Sequence, residues 1–212
     1  MYNKKDYNST LIKVLENMII RSNIETREHI CCVRRYAEII AYRYSIMYPS
    51  SRLTQNRCEL IADAARIHDI GKISVQDMLL HKKGRLSVFE FDLYKKHTIK
   101  GGQMIKAMFA DTDKEFERIC YNICVYHHEK FDGSGYPYGL KNDKIPLEAQ
   151  IVGLADMYDT LLRCTNVESF TRKRIFNMLI NDECGAISPR LKLCFEKSLA
   201  ELEKVKYVRK AV

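Results

Sequence analysis

Apolar residues recur along almost the whole chain at intervals of three and four, the period of a helix with one buried face, and strand-like alternation is nearly absent. This pattern predicts helices over about 8–22, 25–48, 54–70, 87–108, 113–129, 147–164, 169–182 and 189–208, an all-α bundle of about 7–8 helices. Several of these segments carry chemical start and stop signals. Ser87 with Glu90, and Thr112 with Glu115, fit the capping box that satisfies first-turn amides. Ser188-Pro189 reads as an N-cap followed by proline at the first helical position, and Gly185 as a terminator with positive φ. Residues 131–144, FDGSGYPYGLKNDK, hold three of the nine glycines and form the one conspicuous loop. No repeat and no linker rich in Gly, Pro or Ser divides the chain. The expected organisation is a packing or dimer helix over 1–22, a main body over 23–185, and a C-terminal helix with a basic tail over 186–212.

Composition narrows the class. The 212 residues are 46% hydrophobic and 29% charged, with 9 Gly and 4 Pro, which excludes disordered, collagen-like and low-complexity chains. No apolar run approaches the ~18 residues that span a bilayer. The first twenty residues lack a secretory signal's uncharged core, so a soluble, cytoplasmic protein with no membrane partner is expected. Eight cysteines without a secretory signal are expected to be reduced. None falls in a CxxC pair, and Cys120 and Cys124 share one helical face as small core hydrophobes rather than zinc ligands. The net charge of +8 suits an anionic partner, although the charges are spread and the densest basic cluster, KVKYVRK, lies at the C-terminus.

Polar residues occur where the core should be. His68 continues the apolar face of Leu60, Ile61, Ala64 and Ala65, and Asp69 follows it. Ile119, Ile123 and His127 lie on one line of a helix, and Cys120, Cys124 and His128 on the next. The run IVGLADMYDTLL is apolar apart from Asp156 and Asp159. A lone histidine on such a face is usually a hydrogen-bonded core residue, and a lone aspartate a cap or half of an ion pair. Together with His97, and with Glu25 and His29 four apart, the misfits other than Asp159 amount to five imidazoles and three carboxylates. Buried, they need cations. Nitrogen and oxygen donors without thiolate favour iron, manganese or zinc, and eight donors suggest two or three ions. Glu25 has a competing use, since Ser22 and Glu25 could form a capping box. A thiolate–imidazole pair, Cys124 with His128, is the rival within catalysis. The glycine-containing loop lacks the spacing and the Lys-Ser/Thr of a phosphate-cradling P-loop.

Taken as motifs, HDIGK…H over residues 68–97 and HHEKFDGSGYPYG…ADMYD over 127–159 resemble the HD-GYP domains of the HD phosphohydrolase superfamily. EtrEH, at 25–29, is similar to the family's ET-x-x-H entry helix, with Arg27 where glycine is usual. The resemblance covers most of residues 22–162. It implies a helical domain that holds two or three divalent transition metals, usually iron or manganese. The implied activity is hydrolysis of a cyclic dinucleotide, typically cyclic di-GMP, to a linear dinucleotide and sometimes to mononucleotide, by water ionised at the metals. The implied ligands are His29, His68, Asp69, His97, His127, His128 and Asp156, with Glu25 adding a third metal and Asp69 bridging two. Lys72 would contact a substrate phosphate, and Gly135-Tyr136-Pro137 would line the pocket and meet substrate or a protein partner. Asp159, Glu129 and Asp132 are candidates to orient ligand histidines from behind.

One departure stands out. The family commonly carries basic, phosphate-holding residues shortly after its DxYD element, and the matching positions here are Thr165 and Glu168. Arg163, Arg172 or Lys173 would have to compensate. Alternative readings are a different nucleotide substrate, a catalytically weak metal-binding module acting through a protein partner or as a homodimer, and a helical nucleic-acid binder. The last rests on net charge alone, so no long nucleic acid is expected.

Overall fold

The computed structural model describes residues 4–110, 113–164 and 172–205. Thr112, Thr165, Glu168 and the chain beyond 205 lie outside them. Among the described residues there are nine α-helices and no strand: α1 (Lys4–Arg21), α2 (Arg27–Met47), α3 (Gln55–Ala65), α4 (Asp77–Leu80), α5 (Val88–Met108), α6 (Lys114–Tyr126), α7 (Leu147–Cys164), α8 (Arg172–Ile180) and α9 (Pro189–Leu202). Short 3-10 turns occur at Pro49–Ser51, Ile70–Ser74 and Asn142–Lys144. The short α4 is an addition to the helices expected from periodicity.

Several boundaries differ from the pattern, each for a local reason. α2 starts at Arg27 because Thr26 is its N-cap, accepting from the His29 amide at 3.1 Å. Glu25 therefore precedes the helix, and the Ser22–Glu25 capping box does not form. The capping box at Ser87 and Glu90 is present as expected. At α6 the cap is Asp113, which accepts from the amides of Glu115 and Phe116. Gly185 has the expected positive φ of 105°. Proline stands at the start of α9, but the Ser188 side chain makes no capping bond.

The two boundaries that matter most are C-terminal. α3 ends at Ala65 rather than 70, and α6 ends at Tyr126 rather than 129. His68 and Asp69, and likewise His128 and Glu129, thus lie on chain that has just left a helix. Carbonyls of the two last turns also take a histidine ring: Ala65 O accepts from His68 Nδ1 at 2.8 Å, and Ile123 O from His127 Nδ1 at 2.8 Å.

α2 runs through the centre, against α3, α7 and α9, while α6 joins α5, α3 and α7. Tyr36 of α2 and Tyr158 of α7 are both fully buried and meet edge to face at 5.0 Å; Tyr158 also meets Phe195 of α9 at 5.1 Å. Two glycines set how closely the site-bearing segments approach. A Cβ on Gly71 would fall 1.9 Å from His97 O, and one on Gly153 would fall 2.2 Å from His127 O. The 70–74 turn therefore touches α5 backbone to backbone, and α7 touches the end of α6. No helix among the described residues is long and apolar enough to cross a membrane.

Candidate metal centre

The seven expected donors arrive from five segments of the chain. His29 comes from the first turn of α2, His68 and Asp69 from the turn after α3, and His97 from the middle of α5. His127 and His128 come from the end of α6, and Asp156 from the middle of α7. Their ligand atoms form two adjoining groups, Asp69–His97–His127–His128 and His29–His68–Asp156, with the atoms of each group within 4.8 Å of one another. Asp69 divides its oxygens. Oδ1 is 3.2 Å from His97 Nε2 and 3.6 Å from His127 Nε2, while Oδ2 is 3.2 Å from His68 Nε2. Asp156 Oδ1 lies 3.4 Å from His29 Nε2 and 3.7 Å from His68 Nε2. A carboxylate so placed reaches both groups at once.

The donor atoms fit cations. His68, His97 and His127 use Nδ1 to bond the main-chain carbonyls of Ala65, Tyr94 and Ile123, and His29 uses Nδ1 to bond Asp159 at 2.7 Å. This leaves the Nε2 lone pairs facing inward. Nε2 of His29, His68, His97, His127 and His128, with Asp69 Oδ1, are buried and have no hydrogen-bond partner among the described residues. Each orphaned atom costs about 1–3 kcal/mol in a folded protein. Six of them converging are accounted for by ions they would ligate.

The electrostatics divide: burial would lower His68, but Asp69 and Asp156 carry it well above the ordinary imidazole range. Burial lowers both His127 and His128, the latter well below the ordinary imidazole range with His127 adding to the effect. Burial thus favours the neutral form of both rings, the form whose lone pairs can bind a metal. Burial would raise Asp69, but Lys72 and His68 hold its carboxyl well below the usual range. Burial would likewise lower Lys72, but Asp69 and Glu25 keep it charged. By contrast, burial drives the Cys124 thiol far up, and its Sγ–H points at Ile67 O, 3.5 Å away. No thiolate–imidazole pair with His128 forms.

The remaining expected residues divide. Glu25 belongs to neither donor group: its Oε1 accepts from Lys72 Nζ at 2.8 Å, and its Oε2 stands 3.6 Å from His29 Nε2. Lys72 also meets Asp69 Oδ2 at 2.6 Å. Of the three carboxylates expected behind the histidines, Asp159 alone bonds one. Glu129 accepts from the amides of Tyr138 and Leu140, at 2.8 and 3.0 Å, and Asp132 accepts from the amide and hydroxyl of Ser134. α6 ends before Glu129, which therefore leaves the helical face of the histidines, and Asp132 lies in the loop; both brace that loop. In that loop Gly135 packs on the main chain of residues 128–130, and the Tyr136 ring stacks on His128 at 4.6 Å. Pro137 follows Tyr136 through a cis peptide bond.

A cleft of about 310 Å³ opens over these groups, lined among others by Lys72, Tyr94, Thr160 and Arg163. That is the low end of ligand-pocket size. Tyr94 and Thr160 were not anticipated. Tyr94 is three residues before His97, its ring 4.9 Å from that imidazole, and Thr160 is four residues after Asp156, to which its hydroxyl donates at 3.3 Å. Helical spacing from a known ligand would have found both.

Comparison with known proteins agrees with this geometry. Residues 14–172 match the family model described as HD domain. The chain is 30% identical over 161 residues to a 3′3′-cGAMP-specific phosphodiesterase 2 of Vibrio cholerae, covering 76% of this chain and 29% of that protein. It is 33% identical over 154 residues to the cyclic di-GMP phosphodiesterase response regulator RpfG of Xanthomonas campestris, covering 72% and 40%. This chain thus spans less than half the length of these relatives. A solved structure, Bd1817, a HDG"Y"P protein from Bdellovibrio bacteriovorus, shares the fold with a TM-score of 0.60 at 20% identity, covering 93% of this chain and 65% of that one. The chain belongs to the HD domain family.

Proposed function

We propose that this chain is a metal-dependent phosphodiesterase of cyclic dinucleotides. The observation that carries the reading is the convergence of five inward imidazole nitrogens around two carboxylates, Asp69 and Asp156, in two adjoining groups. Two divalent transition metals, iron or manganese by the donor chemistry, would be held by His29, His68, Asp69, His97, His127, His128 and Asp156, and would supply an ionised water and charge for the phosphoryl oxygens.

The chain's own residues do the rest. Main-chain carbonyls hold three histidines in one tautomer, so their donor atoms need no reorganisation when a substrate arrives. Lys72 stays charged beside Asp69 and presents its ammonium to the cleft, where a phosphodiester gathers negative charge. Arg163 lines the same cleft and can take a second phosphate, a role the residues at 165 and 168 do not offer by charge. Tyr136 covers His128 and keeps bulk water from that side. The names of the relatives support a cyclic dinucleotide as substrate. Glu25 serves this reading as the acid that places Lys72, in place of a third-metal ligand.

The test is turnover. Protein prepared without oxygen and loaded with Fe(II) or Mn(II), given cyclic di-GMP and 3′3′-cGAMP, is expected to release linear dinucleotides. Binding without hydrolysis across both substrates would support the partner-binding module instead, and with it a docking role for the 131–144 loop.

A further inference from the structure

Three of the ligand histidines rest on main-chain carbonyls, but His29 rests on a side chain. Asp159 is fully buried, and its Oδ2 accepts the His29 Nδ1–H at 2.7 Å. The same oxygen also accepts from Arg163 Nε, one helical turn further along α7. Asp156, which faces His29 Nε2, lies one turn before Asp159 on the same helical face. A single stripe of α7 thus carries a donor to the metal centre, the support for a second donor, and a cation that reaches into the substrate cleft.

A carboxylate behind an imidazole makes the far nitrogen a stronger donor than a neutral carbonyl does, and fixes the ring's direction. A guanidinium on the same oxygen draws its charge away and weakens that effect. We propose that Asp159 is a positioning residue, moderated by Arg163, that sets the affinity of the His29–His68–Asp156 metal position separately from the Asp69–His97–His127–His128 position. This inference rests on the metal-centre reading above and deepens it.

The two residues are expected to act in opposite directions, which a purely structural role would not produce. Metal-free full-length protein is titrated with Mn(II), and the free ion is followed by electron paramagnetic resonance. Wild type should bind two ions. Asp159→Asn should weaken one of them by about 10–100-fold and leave the other unchanged. Asp159→Glu should recover part of the loss. Arg163→Gln should tighten the same ion that Asp159→Asn weakens; since Arg163 is partly exposed, this arm holds even if Asp159→Asn fails to fold. If wild type takes up fewer than two ions, the metal reading falls and this inference with it. If two ions bind, but Arg163→Gln weakens both or changes neither, the positioning role alone is overturned.

Discussion

Lys72 Nζ lies 2.6 Å from Asp69 Oδ2, three residues along the same tight turn, so the cation is held against the carboxylate that joins the two donor groups. Lys72→Met removes that charge without removing a donor. We expect kcat on a cyclic dinucleotide to fall about 100-fold, the scale for losing a preorganised charge stabiliser. Metal content by elemental analysis should be unchanged. Loss of metal together with activity would make Lys72 a structural support for Asp69.

Asp69 itself is predicted to be indispensable to both ions. Asp69→Asn should leave the protein folded but with less than half the bound metal of wild type, whereas His97→Ala should lose one ion of the two. Elemental analysis distinguishes the outcomes, and equal loss in both variants would argue against a carboxylate shared between the groups.

Gly71 admits no side chain. An alanine there would place its Cβ 1.9 Å from His97 O, against backbone that cannot step aside. Gly71→Ala should destabilise the fold by about 1–3 kcal/mol or more, the cost of overpacking, and should abolish activity by parting His97 from Asp69. Thermal unfolding and turnover check both, and a fully active variant would refute the close approach.

Glu129 accepts two loop amides while itself buried. Glu129→Ala should cost about 1–3 kcal/mol for the amides left without a partner. Because the loop carries Tyr136, KM should rise while metal content stays level. A drop in bound metal instead would mean that Glu129 supports the histidines directly.

The Glu90 carboxyl is held down, from an ordinary 4.5 to about 2, by Lys82 and by the Ser87 amide it caps. A depressed carboxyl contributes stability that is present above its unfolded value and is lost as pH falls through its folded one. Wild type should therefore lose, between about pH 4.5 and 2, a part of its stability that Glu90→Gln does not lose over that interval. Denaturant titrations of both proteins at pH 5 and pH 3 test the sign.

Much of this was legible in the residues. His68, His127, His128 and Asp156 stand out as polar atoms on apolar faces, and eight of the nine helices among the described residues follow from spacing. The ends of α3 and α6 did not declare themselves, because the apolar period of three to four runs on through the turn after Ala65 and past Tyr126. The loop amides from which Glu129 and Asp132 accept are likewise not written in the helical period. Glu25 shows a different limit: its spacing from His29 is legible, but its contact with Lys72, 47 positions away, is not. Long-range pairing of that kind leaves no local trace.

The unequal backing of the histidines bears on how the centre can change over generations. Where an imidazole leans on a peptide carbonyl, no single codon change can remove the prop, so His68, His97 and His127 keep their aim through sequence drift. His29 leans on something that one base substitution can delete or recharge. Adaptation to a different ion or a different catalytic tempo thus has an open door on the α7 side and a closed one opposite.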